Sequence, residues 1–468
     1  MTAADTRTVE STAVPDRPAV AGVDTRAAAP VAAPAAPTKQ PWRGRIFYLF
    51  GLILLALSLR HAVTGISPLL GRIGDDVALG AVGTTILGML PTIAFGLAGF
   101  IAPAFIRRYG PARIAVVALG LGAAGTILRV LGDSPVGFLL FGLVALFGMG
   151  MGNVVGPPLV KRYFADRQAT AMSVLTLMTQ AGATIPAMLA VPMADSAGWR
   201  TSVASYAGLM ILAALPWTLA AVRSGKADKA GTTTAAPAQK FGARKLFTNP
   251  VSLGGAIFYG MAALNTYAML AWLPTIFQAQ GLSEGEAAGM YSIYTFLTLP
   301  MALITPIIAS RLKNPLLLGA VFPIASAIGY LGIITAPGAG PVWAFVAGIS
   351  GGAFPFAMVM FNRRTRTPEG SAAVTGFSLG IGYAFGTVGP FLGGLLSNLT
   401  GGWTIPLLVF VASAAVMVLG AALLSRAPEP RPHLRGRHRH ERRGPLVRGP
   451  APRTTADPQR PPSAVREK

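Results

Sequence analysis

IAPAFIRR, residues 101–108, recurs as ITPIIASR at residues 304–311. Each copy ends a long apolar run, with a proline near its start and an arginine at its end. The prolines, Pro103 and Pro306, lie 203 positions apart. Two further landmarks keep that spacing: Pro186 and Pro390 differ by 204 positions, as do Trp199 and Trp403. An offset held across three landmarks predicts one unit duplicated in parallel orientation. Parallel duplication of helical units underlies membrane folds whose site lies between the halves, near the bilayer midplane.

Composition fits such a unit. Of 468 residues, 52% are hydrophobic and only 12% charged, and the mean hydropathy is +0.56. A soluble domain carries roughly a quarter charged residues, so this is read as an integral membrane protein. Apolar runs of spanning length, roughly 20 residues, occur twelve times, six within 46–222 and six within 250–426. The predicted fold class is all-α, with twelve transmembrane helices in two six-helix repeats. Residues 223–249 read as a cytoplasmic linker, 1–45 as a disordered N-tail and 427–468 as a basic disordered C-tail. The N-tail lacks the apolar core of a cleavable signal.

The net charge of +22 resembles that of a nucleic-acid binder, but its placement argues otherwise. Six basic residues lie in the first 45 positions and twelve between Arg426 and Lys468. Others cluster in alternate loops: Arg107, Arg108 and Arg113, then Lys161, Arg162 and Arg167, then Arg311 and Lys313, then Arg363 and Arg364. The intervening loops hold Asp75, Asp76, Asp133, Asp195, Glu284 and Glu286, with Arg72, Arg129 and Arg200 at span edges. The positive-inside rule then puts both termini in the cytoplasm of a plasma-membrane protein. The expected partners are the lipid bilayer and a small solute, not nucleic acid, and the expected state is a monomer.

Enzymatic chemistry finds no support. The absence of cysteine excludes disulfides and thiolate sites. Glycine-rich GLGAAG (120–125) and GISGGAF (348–354) lie in apolar runs without an adjacent lysine, so they are not phosphate cradles. No acid/base dyad or metal-ligand set appears, and no cofactor is expected. His433, His438 and His440 in the C-tail read as part of an arginine-rich segment beside anionic lipid.

Arg60 is the residue that carries function. It lies within the first apolar run, about 46–70, where a charge costs several kcal/mol unless it faces protein or water. Guanidinium offers five donors in a planar fork suited to small anions or electronegative groups. The other readings are a pair with a polar group of a neighbouring helix, or snorkelling. Counted from Arg45 along one helix, it lies roughly 22 Å in, beyond the midplane. His61 is either a proton carrier or a neutral packing histidine. No Asp or Glu lies deep in any span, so a proton coupled to transport needs His61 or the solute itself as carrier. Asn153, Gln180, Asn265, Tyr267, Trp272 and Tyr383 are the remaining candidate substrate-binding residues. Each alternatively makes a helix–helix hydrogen bond, and Trp272 alternatively belongs to an interfacial belt.

Four stretches sharpen this reading: SLRHAVTGISPLL (58–70), GNVVGPPLVKRYFADR (152–167), LAWLPTIFQAQGLSEGEA (270–287) and GFSLGIGYAFGTVGPFLGG (376–394). With the duplication, they resemble the major facilitator superfamily, and within it the cyanate and nitroimidazole transporter branch. The resemblance covers roughly Ile46 to Leu424. It implies alternating access around a central cavity, and a cytoplasmic gate drawn from Arg107, Arg108, Gly110 and Arg311. In that gate Arg107 stands where an aspartate is usual, and Pro103 where the first glycine is usual. These arginines read equally as topology determinants. The expected function is transport of a small anionic or electronegative solute, cyanate-like or nitroimidazole-like. Drug efflux by the same fold, and a non-transporting sensor or scaffold, are the alternatives.

Overall fold

A computed structural model describes residues 45–223, 243–365 and 368–426. The predicted tails and most of the predicted linker lie outside these residues. Among the described residues, twelve helices are long and apolar enough to cross a membrane: Ile46–Val77, Gly80–Tyr109, Pro111–Leu128, Pro135–Tyr163, Ala165–Ala197, Trp199–Arg223, Pro250–Ala279, Glu284–Arg311, Pro315–Thr335, Pro337–Arg363, Ala373–Thr400 and Thr404–Ser425. They are spans 1–12 below. Helix is forced here, because lipid offers no partner for backbone N–H and C=O groups.

Short polar turns stop and start the helices. Proline opens spans 3, 4, 7 and 9, where a missing N–H costs nothing. The Asn249 and Asn314 side chains accept from the first-turn amides of spans 7 and 9. Ser283 and Glu286 form a reciprocal capping box at the start of span 8. Gly110, with φ 85°, turns span 2 directly into span 3, and Gly198, with φ 80°, turns span 5 into span 6. That backbone conformation favours glycine.

Large apolar side chains such as Phe100, Ile211 and Leu215 stand exposed on the helix exteriors. The interior is equally apolar, so packing rather than polarity organises it. Span 1 packs on spans 5 and 6, span 7 on spans 11 and 12, span 2 on span 11, and span 5 on span 8. Alternate crossings gather Arg107, Lys161, Arg311 and Arg363 on one face. The opposite face collects Asp76, Asp133, Asp195 and Glu284. We call these the basic and acidic faces.

Span 1 departs from the uninterrupted helix expected of its apolar run. It is helical over Ile46–Leu57, stops, resumes over His61–Thr64, tightens to a 3-10 turn at Ser67–Leu69, and ends as Leu70–Val77. The depth of Arg60 counted along one helix therefore does not apply. At the stop, Ser58 Oγ donates to the Leu54 carbonyl at 2.7 Å, and His61 Nδ1 lies 3.1 Å from the Ser58 carbonyl. The Leu54 carbonyl also keeps its helical bond from the Ser58 amide at 3.1 Å, whereas the Ser58 carbonyl, which a continuous helix would have paired, meets the His61 ring. Neighbouring backbone crowds the break: a Cβ on Gly182 of span 5 would lie 2.3 Å from the Leu57 carbonyl oxygen. Irregular backbone at membrane depth is tolerated when buried in protein in this way.

Candidate functional site

Arg60 is the last residue of the stop and the N-cap of the helix that resumes at His61, and the break sets its direction. Its guanidinium enters a cavity of about 530 Å³ between spans 1, 5, 7, 8, 10 and 11. Gln180, Tyr259, Tyr267, Asn362 and Tyr383 share the lining. The guanidinium carbon lies 5.8 Å from the centre of the Phe95 ring, in cation–π range. It makes no hydrogen bond or ion pair to another described residue, and its buried Nε has no partner. Neither snorkelling nor a helix–helix pair describes this side chain.

The cavity reaches the basic face past Ser173, Pro306 and Asn362. Toward the acidic face it narrows. Tyr267 is a shared wall between the cavity and a space of only about 30 Å³, whose far wall includes Leu70, Thr84 and Trp272. Those three residues also border a vestibule of about 400 Å³ on the acidic face. Contacts between the two sets of six spans, and one ion pair within the first set, flank the narrow part. Ser67 Oγ donates to the Ala271 carbonyl at 2.9 Å, and Thr387 to Thr92 Oγ1 at 2.8 Å. Arg72 joins Asp195 at the end of span 5 at 2.6 Å and Glu284 at the start of span 8 at 2.5 Å.

Of the residues expected to bind solute, Arg60, Gln180, Tyr267 and Tyr383 line one cavity. Trp272 sits at the narrowing, its Nε1 donating to the Pro390 carbonyl at 2.9 Å and its ring tilted on Trp403. Asn265 is buried, donating to the Met261 carbonyl at 2.9 Å and Ser413 Oγ at 2.8 Å. Asn153 donates to the Met149 carbonyl of its own helix. His61 is buried outside the cavity lining, stacked on Tyr206 with centroids 5.0 Å apart. Of the expected gate residues, Arg107, Arg108 and Arg311 are exposed on the basic face, and Gly110 is the turn glycine. There Arg363 instead donates to the Ala309 and Leu312 carbonyls, capping span 8.

Sequence reading passed over Tyr259, Thr176 and Asn362. Tyr259 stands eight residues before Tyr267, and Thr176 four before Gln180, so helical spacing placed each beside a residue already chosen. Asn362 carried no such signal. Arg129 stands at the end of span 3, a span edge as expected, and is buried there, 1% exposed. Among the described residues no group of three metal-binding side chains is gathered.

The sequence model of the Major Facilitator Superfamily matches residues 49–347. The chain belongs to this superfamily. This superfamily transporter is related to the cyanate and nitroimidazole branch. It is 28% identical over 383 residues to the 2-nitroimidazole transporter of Escherichia coli, covering 81% of this chain and 95% of that protein. It is 24% identical over 382 residues to that organism's cyanate transport protein CynX, covering 81% and 96%. Solved structures share the fold: a D-xylose–proton symporter at 15% identity and TM-score 0.63, covering 82% of this chain and 98% of that one. A bacterial homologue of the lysosomal transporter Spinster, in an inward-facing occupied conformation, has 14% identity and TM-score 0.63, covering 82% and 97%.

Proposed function

We propose that this transporter moves a small anionic or strongly electronegative solute, cyanate-like or nitroimidazole-like, by alternating access. The unpaired guanidinium of Arg60, facing the cavity, carries the reading. A charge held in a low-dielectric wall without a partner is costly, and a bound acceptor relieves that cost through charge-assisted hydrogen bonds. Gln180 and Asn362 add neutral donors and acceptors. Tyr259, Tyr267 and Tyr383 add aromatic faces for a flat solute. A cavity of about 530 Å³ suits a heteroaromatic ring better than a three-atom ion.

Two six-helix halves, 46–222 and 250–426, rock about this cavity. The repeated packing, span 1 on 5 as span 7 on 11, supports that division. The basic face is cytoplasmic, so the state described is open inward and closed outward at Tyr267 and Trp272. Drug efflux through the central cavity predicts Arg60 turned away from its lining, whereas Arg60 is part of that lining. The test is solute flux into proteoliposomes of the purified protein, wild type against Arg60→Ala. Flux in the wild type and its loss in the variant, at equal reconstitution, is the expected result. Equal flux and affinity in both would refute the assignment.

A further inference from the structure

Outside the cavity lining, a second polar group is sealed inside the first six spans. It comprises His61 of span 1, Tyr206 of span 6 and Arg129 at the end of span 3. His61 is 2% exposed; its Nδ1 faces the Ser58 carbonyl, and its Nε2 has no partner among the described residues. The Tyr206 hydroxyl is also buried without a partner. Arg129 is 1% exposed, none of its three guanidinium nitrogens is hydrogen-bonded, and its charge centre lies 4.3 Å from the centre of the Phe138 ring. It lies within electrostatic reach of His61.

This arrangement bears on coupling. A proton-coupled carrier needs a group that meets the solute pathway and exchanges a proton at each face. His61 is the one imidazole among the spans, and it does not touch the cavity. A proton there would add a third positive charge beside Arg60 and Arg129. Spans 4, 5 and 7 also pack on this segment. Away from their ends, they bring Tyr259 and Tyr267 as titratable side chains and no carboxylate. No Asp or Glu lines the cavity among the described residues. Tyrosines, with a reference value near 10, do not exchange protons at neutral pH.

Resting on the function proposed above, we infer that the solute crosses as a monoanion without a proton, so each turnover carries one net negative charge. An inside-negative membrane potential then drives the anion out of the cytoplasm. One charge in about 59 mV corresponds to a tenfold concentration ratio.

The test uses wild-type protein in proteoliposomes, with cyanate and, at alkaline pH, deprotonated 2-nitroimidazole as probes. Potassium gradients with valinomycin set the voltage. An inside-positive potential of about 59 mV should accumulate the probe about tenfold, while a one-unit pH gradient at zero voltage should accumulate none. Accumulation that follows the pH gradient at zero voltage overturns the inference but leaves the transport reading intact. So does voltage-insensitive flux that requires an internal exchange anion. No flux of either probe overturns the transport reading, and this inference falls with it.

Discussion

Ser67 and Ala271 stand 204 positions apart in the chain and touch: the serine hydroxyl donates to the alanine carbonyl at 2.9 Å. The same offset separates Pro186 from Pro390 and Trp199 from Trp403. Under the duplication expected from the sequence, a residue that meets its own counterpart lies on the axis relating the two copies. The contact therefore supports a pseudo-twofold axis through the narrowing between cavity and vestibule. Around that axis the lining is unequal, since the position matching Arg60 is Leu264.

Replacing Arg60 with Ala should remove two charge-assisted hydrogen bonds to the solute, each worth about 1.5–3 kcal/mol. Affinity should fall about 100-fold or more, with membrane insertion unchanged. Arg60→Lys should recover part of it, because an ammonium keeps the charge but loses the planar fork. Solute-induced shifts in thermal unfolding, beside flux, would measure both.

Arg72→Gln should loosen the acidic face by freeing Asp195 and Glu284. Half-exposed ion pairs contribute on the order of 1 kcal/mol, so the outward-open population should rise roughly fivefold. Val63→Cys, lining the narrow space but not the vestibule, reads this out: an impermeant thiol reagent should label it faster in the Arg72→Gln background. Unchanged labelling would show that the ion pairs do not hold the closure.

Topology is testable without background, because the chain has no native cysteine. Gly132→Cys on the acidic face should react with an impermeant reagent added to intact cells. Lys313→Cys on the basic face should react only after permeabilisation. The reverse pattern would invert the assignment of both termini.

Gly182→Ala should destabilise the fold by about 1–3 kcal/mol, since its Cβ would lie 2.3 Å from the Leu57 carbonyl oxygen. Gly99→Ala, with nothing within 4 Å of its added Cβ, is the control and should be neutral. Thermal unfolding in detergent compares them. Equal midpoints would mean that the break in span 1 tolerates a wider helix spacing.

Sequence alone determined the twelve spans, and its quoted motifs pointed to the family. In lipid, every backbone group must be paired within its own segment, so apolar length dictates helix. Arg60 was legible for a related reason: a charge in an apolar run has few tolerable places. Which way side chains face was not legible. A span meets apolar lipid on one side and apolar protein on the other, so hydrophobic periodicity does not mark the inner face as it does in a soluble helix. Only the tertiary structure put Tyr259 and Asn362 into the cavity, engaged Asn265 with Ser413, and buried the Arg129 side chain at its span edge. The break that aims Arg60 was likewise decided by packing. Gly182 brings the backbone of span 5 against Leu57, and the Ser58 carbonyl meets the His61 ring in place of a helical amide.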